Sequence, residues 1–457
     1  MIVRSSLLIA LALCACGRIG FDPLSEGALL DAGTEGQLDA AVAVVVGELD
    51  PDFEGGGVVV WDYVDDDMIS KDDRATAVAI DSQGRIVLSI SGTYQFYASD
   101  DQFDMAAITM RLQPDGKPDD SYQFGALSGP GRTVDTDSRW SHGVGILLDG
   151  TNIVLGGYRE WGGADDPTVY RYQSSGGQPD GSFGTSGVVG IPAAGEVQAW
   201  GIAQDPTDGN YFIVGSQGDT TMFVAKLSAV DGSPVSSFAG NGQLTYDVAG
   251  NEKGAAVVVD EQGRVYVAGW KDAGGSTSDI VVWRYLSDGS ADPSFSGDGI
   301  FVYDGGDNDE ATAIALDTNG DLVVAGFRAG GTPLSNDMVV LRLDASTGEL
   351  DPSFGSGGVF AFDASGGRDE AWGLAVAADA IFATGTSTQA MSVWKVTNDG
   401  ALDANFAAAG LFQHAGAAGG GLDIGFDVAI DASGELVVVG ESLAGDGFYS
   451  AAVWKVH

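Results

Sequence analysis

The chain of 457 residues has few basic residues, few cysteines and few histidines. Only 21 Lys and Arg stand against 65 Asp and Glu, so the formal net charge at pH 7 is -44. Because a surface of this sign repels phosphate backbones, we expect no nucleic-acid partner. The three histidines, His142, His414 and His457, are too scattered in the sequence to predict a transition-metal centre.

Both cysteines, Cys14 and Cys16, lie close to the N-terminus. The rest of the chain can therefore form no disulfide and offers no thiol as a nucleophile or a metal ligand. Gly-x-Ser-x-Gly, His-Glu-x-x-His and P-loop motifs are also absent from the sequence. These absences favour a protein without enzymatic activity, and they leave open catalysis by loop Asp and Glu side chains.

An apolar run at residues 7–15 follows Arg4 near the N-terminus. The run is too short to cross a bilayer as a helix, and it has the length of a signal-peptide core. No later segment of the sequence approaches the length of a membrane span. The sequence therefore predicts export, with residues 1–15 as the signal peptide.

The end of this run, Leu13-Cys14-Ala15-Cys16-Gly17, resembles the lipobox of bacterial lipoproteins. The resemblance implies that Cys16 is acylated and, through Gly17, that the protein is an outer-membrane lipoprotein of the cell envelope. Two or three acyl chains anchor a protein firmly, since each buried methylene contributes about 0.8 kcal/mol. Residues 16–40 would then be the acylated Cys and a flexible linker. The alternative is an ordinary secretory signal whose cysteines are incidental.

The body of the chain, residues 41–457, repeats a short motif related to Asp-Pro-Ser-Phe, which we call the index. The spacing between copies runs from 52 residues (354 to 406) to 69 residues (53 to 122). The aromatic residues that end the seven copies are Phe53, Tyr122, Phe183, Phe238, Phe295, Phe354 and Phe406. We expect these rings to be turn anchors buried between repeats.

Each copy is predicted to contain four short strands, named a to d. In one copy, strand a is residues 299–303, strand b is 311–317, strand c is 322–326 and strand d is 338–343. Tight turns that contain Gly connect strands b and c and predict antiparallel pairing. Strand c is a continuous apolar run closed by a Gly, which predicts a strand buried on both faces that ends at this residue.

Seven copies of about sixty residues with four strands each predict an all-β fold, a seven-bladed β-propeller. An open solenoid is the first alternative, but its coils run parallel. A ring of six or eight blades is the second, because the apolar residues 41–46 precede the first index as strand d precedes the others. That stretch can pair with the last blade and latch the ring.

The succession Leu350-Asp351-Pro352-Ser353-Phe354-Gly355 and Gly358-Val359, after strand d and a turn, resembles the delta-60 repeat family. The resemblance covers residues 49–457 and departs from the pattern in copy two, where Ser121-Tyr122 replaces Ser-Phe. It implies a propeller-like repeat protein of bacterial envelopes. It implies no settled biochemical activity, so it supports the fold far more than the function.

One basic residue recurs in strand d of every copy. We expect a structural role, in which the stem packs on apolar neighbours and the charge pairs with a carboxylate at the end of strand b, such as Asp81, Asp260, Asp317 or Asp431. The functional alternative is a basic ring that captures an anionic ligand. The seven residues are Arg111, Arg171, Lys226, Arg284, Arg342, Lys395 and Lys455.

Two acidic segments, residues 65–67 and 304–310, raise the question of calcium binding. In the second segment Asp304, Asp307, Asp309 and Glu310 are candidate ligands, because Ca²⁺ binds carboxylate oxygens. Neither segment has EF-hand spacing, and solvation of an acidic surface explains both equally well. We therefore expect no cofactor, with Ca²⁺ as the single candidate.

We expect a surface-anchored, non-enzymatic propeller that serves as a binding or scaffolding module for a protein or glycan partner. The alternative is a propeller hydrolase or lyase that degrades extracellular polymers through loop carboxylates. Irregular, copy-specific excursions are the expected place for a ligand, and two occur at residues 91–104 and 158–167. Trp140 and Trp161 lie in or near such stretches and are candidate ligand contacts.

Overall fold

A computed structural model of the chain describes residues 48–61, 72–94, 104–125, 130–135, 140–161, 163–193, 195–218, 220–248, 250–272, 277–330, 335–364 and 367–457. The predicted signal peptide, Cys16, the linker, the apolar residues 41–46 and the acidic segment 65–67 lie outside these residues. Within the described ranges, no helix has the length and apolar character needed to cross a membrane.

Strands make up nearly all the regular structure of the described residues, together with one 3₁₀ turn at Glu54–Gly56. The strands of the first three blades and the N-terminal strand are β1 (Val58–Trp61), β2 (Asp73–Ile80), β3 (Ile86–Tyr94), β4 (Asp104–Leu112), β5 (Arg132–Val134), β6 (Ser141–Asp149), β7 (Asn152–Trp161), β8 (Ala164–Gln173), β9 (Val188–Gly190), β10 (Val197–Gln204), β11 (Tyr211–Gln217), β12 (Thr221–Leu227) and β13 (Gln243–Tyr246). Those of the last four blades are β14 (Glu252–Val259), β15 (Val265–Asp272), β16 (Ser278–Tyr285), β17 (Ile300–Tyr303), β18 (Asp309–Leu316), β19 (Leu322–Ala329), β20 (Asn336–Leu343), β21 (Val359–Phe362), β22 (Asp369–Val376), β23 (Ala380–Ser387), β24 (Ala390–Thr397), β25 (Leu411–His414), β26 (Gly419–Ile430), β27 (Leu436–Ala444) and β28 (Tyr449–Val456).

The strands form seven antiparallel four-stranded sheets, which confirms the predicted seven-bladed propeller. Blades 1 to 6 each use four consecutive strands, from β2-β3-β4-β5 to β22-β23-β24-β25, and blade 7 has the order β1-β28-β27-β26. Strand b is the innermost strand of each blade, and the innermost strands contact one another all the way round, including β26 against β2. Strand a of each copy is the outermost strand of the preceding blade, so the ring is closed and the solenoid is excluded.

The N-terminal strand β1 latches the ring by pairing with β28, from Val58 opposite Trp454 to Trp61 opposite Ala451. A further bridge joins Leu49 to Val456. The segment that latches is therefore strand a of copy one, whereas residues 41–46, which the sequence suggested, lie outside the described residues. The topology explains the choice, because every strand a completes the blade before it and copy one follows copy seven around the ring.

Each innermost strand has a β-bulge near its start, for example between Ala311 and Ala313 in β18. The bulge pushes a strand-b carbonyl toward the Gly that the sequence suggested as the end of strand c. A Cβ at Gly326 would collide with the carbonyl oxygen of Glu310. The prediction that strand c ends at this Gly is therefore wrong: β19 continues to Ala329, and the Gly is kept small by the bulge beside it.

The basic residue of strand d is buried in a cradle made by two successive blades, as Arg284 of blade 4 illustrates. Arg284 is 0% exposed, and its Nη2 lies 2.7 Å from Oδ2 of Asp292 in the index that follows. Its Nη1 donates to the carbonyl oxygens of Ala345 and Ser346, which belong to the same turn of blade 5. One charge thus ties the turns of neighbouring blades together, and we call this arrangement the cation clamp.

The clamp recurs around the ring with the Asp of the index as its carboxylate. The pairs are Arg111 with Asp119 at 2.7 Å, Arg171 with Asp180 at 2.8 Å, Arg342 with Asp351 at 3.6 Å, Lys395 with Asp403 at 2.9 Å and Lys455 with Asp50 at 3.5 Å. The guanidinium groups also donate to carbonyls of the next blade, as Arg171 does to Val230 and Arg342 to Asn398.

Copy three shows that the strand-d base keeps a carboxylate partner even where the index has no Asp. Its index begins with Val235 in place of Asp, and Lys226 turns instead to Asp205 and Asp208, each 2.8 Å from Nζ. Both acids lie at the end of strand b or in the turn after it. A buried ammonium without a partner would cost several kcal/mol, so the missing index carboxylate is replaced by others.

The predicted strand-b partners are right for two of the four residues named and wrong for the other two. Asp317 lies 2.6 Å from Arg342, and Asp431 lies 3.4 Å from Lys455. Asp81 and Asp260 instead bind Arg85 and Arg264 of their own b–c turns, at 2.6 and 2.5 Å. A local base four residues away reaches these carboxylates first, and the strand-d base is left to the index Asp.

The index aromatic packs beneath a Gly in the turn of the next blade. A Cβ at Gly348 would lie 2.9 Å from the ring of Phe295, and one at Gly116 would lie 2.8 Å from the ring of Phe53. The guanidinium carbon of Arg284 lies 4.8 Å from the centre of the Phe295 ring. The base also lies over the index ring in the copies of Arg111, Arg171 and Lys395. In these copies ring, base and carboxylate form one unit, and a desolvated cation–π contact of this kind contributes about 2 kcal/mol.

We predict that Asp292→Asn lowers the free energy of unfolding by about 3 kcal/mol, because it leaves the buried guanidinium of Arg284 without its counter-charge. The matched control is Asp115→Asn, whose partner Lys117 is 62% exposed; this change should cost less than about 1 kcal/mol. Urea denaturation of the two variants and the wild type measures the difference. Equal losses for both variants would show that the clamp adds nothing beyond a surface pair.

Candidate functional site

All innermost strands begin at the same end of the ring, where strand a of the preceding blade ends and strands c and d are joined. The cation clamps lie at the opposite end, in the d–a turns. The start of the innermost strands therefore surrounds one opening of the central channel, which we call the channel mouth. We call the residue immediately before each β-bulge the second position, because it is the second residue of six of these strands and the sixth of the longer β26. The residues at this position are Arg74, His142, Gln198, Lys253, Glu310, Glu370 and Ile424.

One side of the mouth, at blades 4 to 6, is charged. Glu370 is almost fully buried, and its two carboxylate oxygens lie 2.8 and 2.9 Å from Nε and Nη2 of Arg368. Asn336 donates a further hydrogen bond to it. Lys253 and Glu310 hold the corresponding positions in blades 4 and 5. We call Lys253, Glu310, Arg368 and Glu370 the charged arc.

Glu310 titrates near neutral pH within this arc. Burial, and then the charge of Glu370, raise its pKa to about 7, while Lys253 and Arg368 offset part of the effect. Its side chain is only half-buried, as expected for a group in a narrow opening that water reaches but protein atoms surround. Among the described residues, Glu310 is therefore a carboxyl that can hold or release a proton at physiological pH.

The opposite side of the mouth, at blades 2 and 3, is aromatic. The rings of His142 and Tyr158 stack with centroids 4.6 Å apart and an interplanar angle of 17°. The Trp200 ring follows at 6.0 Å from Tyr158, and its Nε1 donates to Ser216 Oγ at 3.3 Å. All three rings are partly exposed. We call His142, Tyr158 and Trp200 the aromatic arc.

Polar groups and one further ring border the aromatic arc. Nε2 of Gln198 donates to Asp165 at 3.0 Å, and burial raises the pKa of Asp165. Trp140 precedes β6, is 41% exposed, and its carbonyl accepts the amide of Glu160 at 2.8 Å. The sequence thus indicated Trp140, and Tyr158 as the first residue of the stretch 158–167, but it gave no sign of His142 and Trp200 as ligand contacts. Their signal was hidden because each belongs to a different strand.

The second predicted ligand stretch, residues 158–167, is regular and not an irregular excursion. Tyr158 pairs with Pro167, and Trp161 pairs with Ala164, so the segment is the extended end of the β7–β8 hairpin. The Trp161 backbone lies at the hairpin tip, while its side chain lies outside the described residues. Most of the other predicted excursion, residues 91–104, also lies outside them.

A cleft of about 430 Å³ lies on the other face of this hairpin. Arg159 and Asp166 oppose each other across β7 and β8 and line the cleft together with Val188, Gly190 and Pro192. Tyr158 and Arg159 are successive strand residues, so one faces the arc and the other faces the cleft. The hairpin therefore separates the aromatic arc from the cleft.

The candidate calcium ligands do not all come together. Oxygens of Asp304 and Asp309 lie within 4.8 Å of each other and of an oxygen of Asp279. Glu310 belongs instead to the charged arc, because successive residues of β18 point to opposite faces. Asp307 is exposed and lies outside the cluster. Asp279 was missed because it lies in strand d of the preceding blade.

These features define a seven-bladed repeat propeller with a polar and aromatic channel mouth. Residues 263–295 match a family model described as a domain of unknown function (DUF5122) β-propeller. The match fits a propeller repeat family, while the finer delta-60 assignment stays a prediction. No curated protein sequence matches the chain.

The chain shows a distant likeness to several solved structures. Sqt1 of Chaetomium thermophilum, bound to the N-terminus of ribosomal protein L10, aligns at 14% identity and a TM-score of 0.45 over 87% of this chain and 90% of Sqt1. A protein of unknown function from Dyadobacter fermentans aligns at 12% identity and a TM-score of 0.43 over 88% of this chain and all of its own. The polysaccharide lyase Uly1 aligns at 12% identity and a TM-score of 0.44 over 84% and 90%. Likeness at this level carries no argument about ligands.

We predict that the free energy of unfolding of the Glu310→Gln variant increases, relative to that of the wild type, as the pH rises. The ordinary pKa of a Glu is 4.5 and that of Glu310 in the folded protein is about 7, so between these values only the folded state holds the proton. The wild type therefore loses stability through this window, and E310Q does not. The gain of E310Q should grow by up to about 3 kcal/mol between pH 4.5 and pH 7.

Urea denaturation at pH 5 and pH 8 measures this gain, with the exposed Glu349→Gln as the control. A difference between E310Q and wild type that is the same at both pH values would contradict the assignment of Glu310 as the titrating group.

Proposed function

We propose that the protein is a non-enzymatic binding module that holds a glycan across the channel mouth, against the aromatic arc. The observation that carries the proposal is the row of three partly exposed rings, His142, Tyr158 and Trp200, on neighbouring blades. Such rings offer apolar faces to the C–H groups of sugars, while their polar atoms remain available for hydrogen bonds.

Charge and rigidity narrow the kind of glycan that this surface fits. The net charge of -44 disfavours polyanionic chains, so the proposed ligand is a neutral or basic oligosaccharide. Asp165 and Gln198 lie beside the rings as hydrogen-bonding groups. Strands, and not loops, hold Tyr158 and Trp200, which lowers the ordering cost of binding. A peptide partner is the other occupant of the same surface that the rings would accept.

Degradation of a polymer, by a hydrolase or a lyase reaction, is the second candidate function. It is favoured by the pair of Glu310 and Glu370 in the charged arc, where the pKa of Glu310 is raised to about 7 and Glu370 is held by Arg368. A protonated carboxyl beside an ionised one is the arrangement that glycoside hydrolysis uses. Glu370 has both of its oxygens bound, however, and this leaves it poorly placed to accept a proton from substrate.

The site is proposed to be displayed at the outer membrane through a lipid on Cys16. The supporting observation is the sequence Leu13-Cys14-Ala15-Cys16-Gly17 after an apolar run of signal-peptide length. A lipid anchor would also hold this acidic protein near a membrane whose anionic headgroups repel it. The propeller would then act as a binding or scaffolding module on the envelope.

The glycan proposal predicts that the full chain binds a neutral or basic oligosaccharide, found by array and measured by calorimetry. Trp200→Ala and Tyr158→Ala should each weaken binding by about tenfold, equivalent to about 1.4 kcal/mol for a lost aromatic contact. Phe124→Ala, which removes a 43% exposed ring elsewhere, should leave affinity unchanged. The melting temperatures of the three variants establish that each folds.

Equal affinities for all four proteins, or no oligosaccharide ligand at all, would sink the glycan proposal. Shortening of the oligosaccharide by the wild type, abolished in Glu310→Gln, would replace it with the hydrolase.

The anchoring proposal predicts that an alkyne-labelled fatty acid is incorporated into the wild type in a bacterial host. Cys16→Ser should abolish the label, because the acylated thiol is gone, and the neighbouring Cys14→Ser should retain it. Density-gradient fractions would place the labelled protein in the outer membrane. Label in the Cys16→Ser variant would refute lipidation at this residue.

A further inference from the structure

Three carboxylates meet at the mouth end of the seam between blades 4 and 5. Asp279 belongs to β16, Asp304 follows β17, and Asp309 is the first residue of β18. One oxygen from each lies within 4.8 Å of the other two. Two of the side chains thus come from blade 4 and the third from blade 5, and we call them the seam triad.

Asp309 carries a buried oxygen that makes no hydrogen bond of ordinary geometry within the described residues. The residue is 0% exposed, its Oδ2 accepts the amide of Gly305, and its Oδ1 has no hydrogen-bond partner in the described residues. A buried carboxylate oxygen without a partner costs about 1–3 kcal/mol or more. Gly305 permits this close approach, because a Cβ there would lie 2.9 Å from Oδ2 and 3.1 Å from Oδ1.

Charge repulsion adds to the cost of this arrangement. Burial, and then the charges of Asp279 and Asp304, raise the pKa of Asp309 to about 6, although the backbone amides of Gly305 and Ala329 offset part of the effect. Burial and Asp304 likewise raise the pKa of Asp279, although Lys271 lies near enough to lower it in part. Asp279 and Asp309 therefore both have raised pKa values beside Asp304, and a positive charge among the three carboxylates would relieve the repulsion.

At two equivalent seams of the same ring, groups of the protein bind some of the corresponding acids. At the seam of blades 6 and 7, Asp423 stands at the position of Asp309 and is bound by Ser442 Oγ at 2.5 Å, the Ala417 amide at 3.1 Å and His414 Nδ1 at 3.2 Å. At the seam of blades 5 and 6, Asp337 stands at the position of Asp279 and lies 3.1 Å from Arg328. Asp369, which stands at the position of Asp309 in blade 6, likewise keeps a buried Oδ1 without a hydrogen-bond partner among the described residues.

We propose that the seam triad binds a single Ca²⁺ ion, which joins blade 4 to blade 5 at the channel mouth. The oxygen-only ligand set selects a hard cation, and Ca–O distances of about 2.3–2.6 Å place opposite ligands up to about 5 Å apart. Ca²⁺ accepts irregular sets of oxygen ligands, whereas Mg²⁺ demands a near-ideal octahedron. Water and backbone carbonyls would complete the coordination shell.

The ion would take the role that Arg328 and the donors around Asp423 have at their own seams. It would also fix the a–b loop of blade 4, from Asp304 onward, to the start of β18. Glu310 is the next residue of that strand, so the proposed ion borders the charged arc without belonging to it. The proposal does not depend on a glycan ligand.

The test uses the full chain, freed of metal with EGTA and titrated with CaCl₂ by calorimetry and thermal unfolding. The wild type should bind one equivalent and gain about 2.7 kcal/mol in unfolding free energy when Ca²⁺ reaches 100 times its dissociation constant. Asp304→Asn should weaken binding at least tenfold. Asp304 is exposed, so this variant should fold in the absence of Ca²⁺ as the wild type does.

Asp337→Asn is the matched control, because it removes the same charge from the equivalent seam and should leave Ca²⁺ affinity unchanged. MgCl₂ at the same concentration should give no comparable stabilisation. No binding by the wild type up to about 1 mM Ca²⁺, the range of extracellular modules, would overturn the proposal. Equal weakening by Asp304→Asn and Asp337→Asn would also overturn it, since it would indicate general attraction to the acidic surface.

Discussion

The four arginine clamps each carry a buried positive charge from the blade that supplies it to the turn of the next blade. A propeller has no hydrogen-bonded sheet running between its blades, so side chains hold the seams together with single backbone hydrogen bonds, such as that from the Ser296 amide to the Thr347 carbonyl at 2.7 Å. Arg284 does this with a carboxylate from its own blade and two carbonyls from its neighbour. Because a buried charge tolerates no loss of partners, the clamp fixes the distance and angle between blades more strictly than apolar packing alone. Basic residues are scarce in this chain, and 7 of the 21 belong to cation clamps.

The clamps also divide the molecule into two ends of different electrostatic character. At the clamp end, bases neutralise the index carboxylates, and the turns pack closely over the index rings. At the mouth end, the bases are fewer, and carboxylates such as Asp309 and Glu310 keep raised pKa values. The cation clamps therefore stabilise one end of the ring, while the other end holds side chains whose burial and charge are unfavourable for folding. Such positions are where binding sites are found.

Sequence periodicity was sufficient to predict the strands, the blades and their number, because the same pattern occurs seven times along the chain. It could not predict contacts that cross from one repeat to another. The index Asp was overlooked as the partner of the strand-d base, since an acid at a turn is usually read as a turn former. Asp279 was overlooked because only the seam brings it to Asp304. The latch through β1 was overlooked for the same reason: the pairing of Val58–Trp61 with β28 depends on ring closure and not on local pattern.

The second position of the innermost strand shows why the mouth is the place to look for function. Positions inside the blades repeat nearly the same chemistry, because the same neighbours surround them in every copy; the strand-d base and the index ring are examples. At the second position the seven copies place Arg, His, Gln, Lys, Glu, Glu and Ile. Packing on the neighbouring blade does not impose one choice there, since the channel opens beside it. Seven nearly equivalent backbones thus present different side chains around one opening, with rings on one side and charges on the other. A ligand that spans the mouth meets an asymmetric surface on a symmetric scaffold, and this asymmetry is what allows it to be bound in a single orientation.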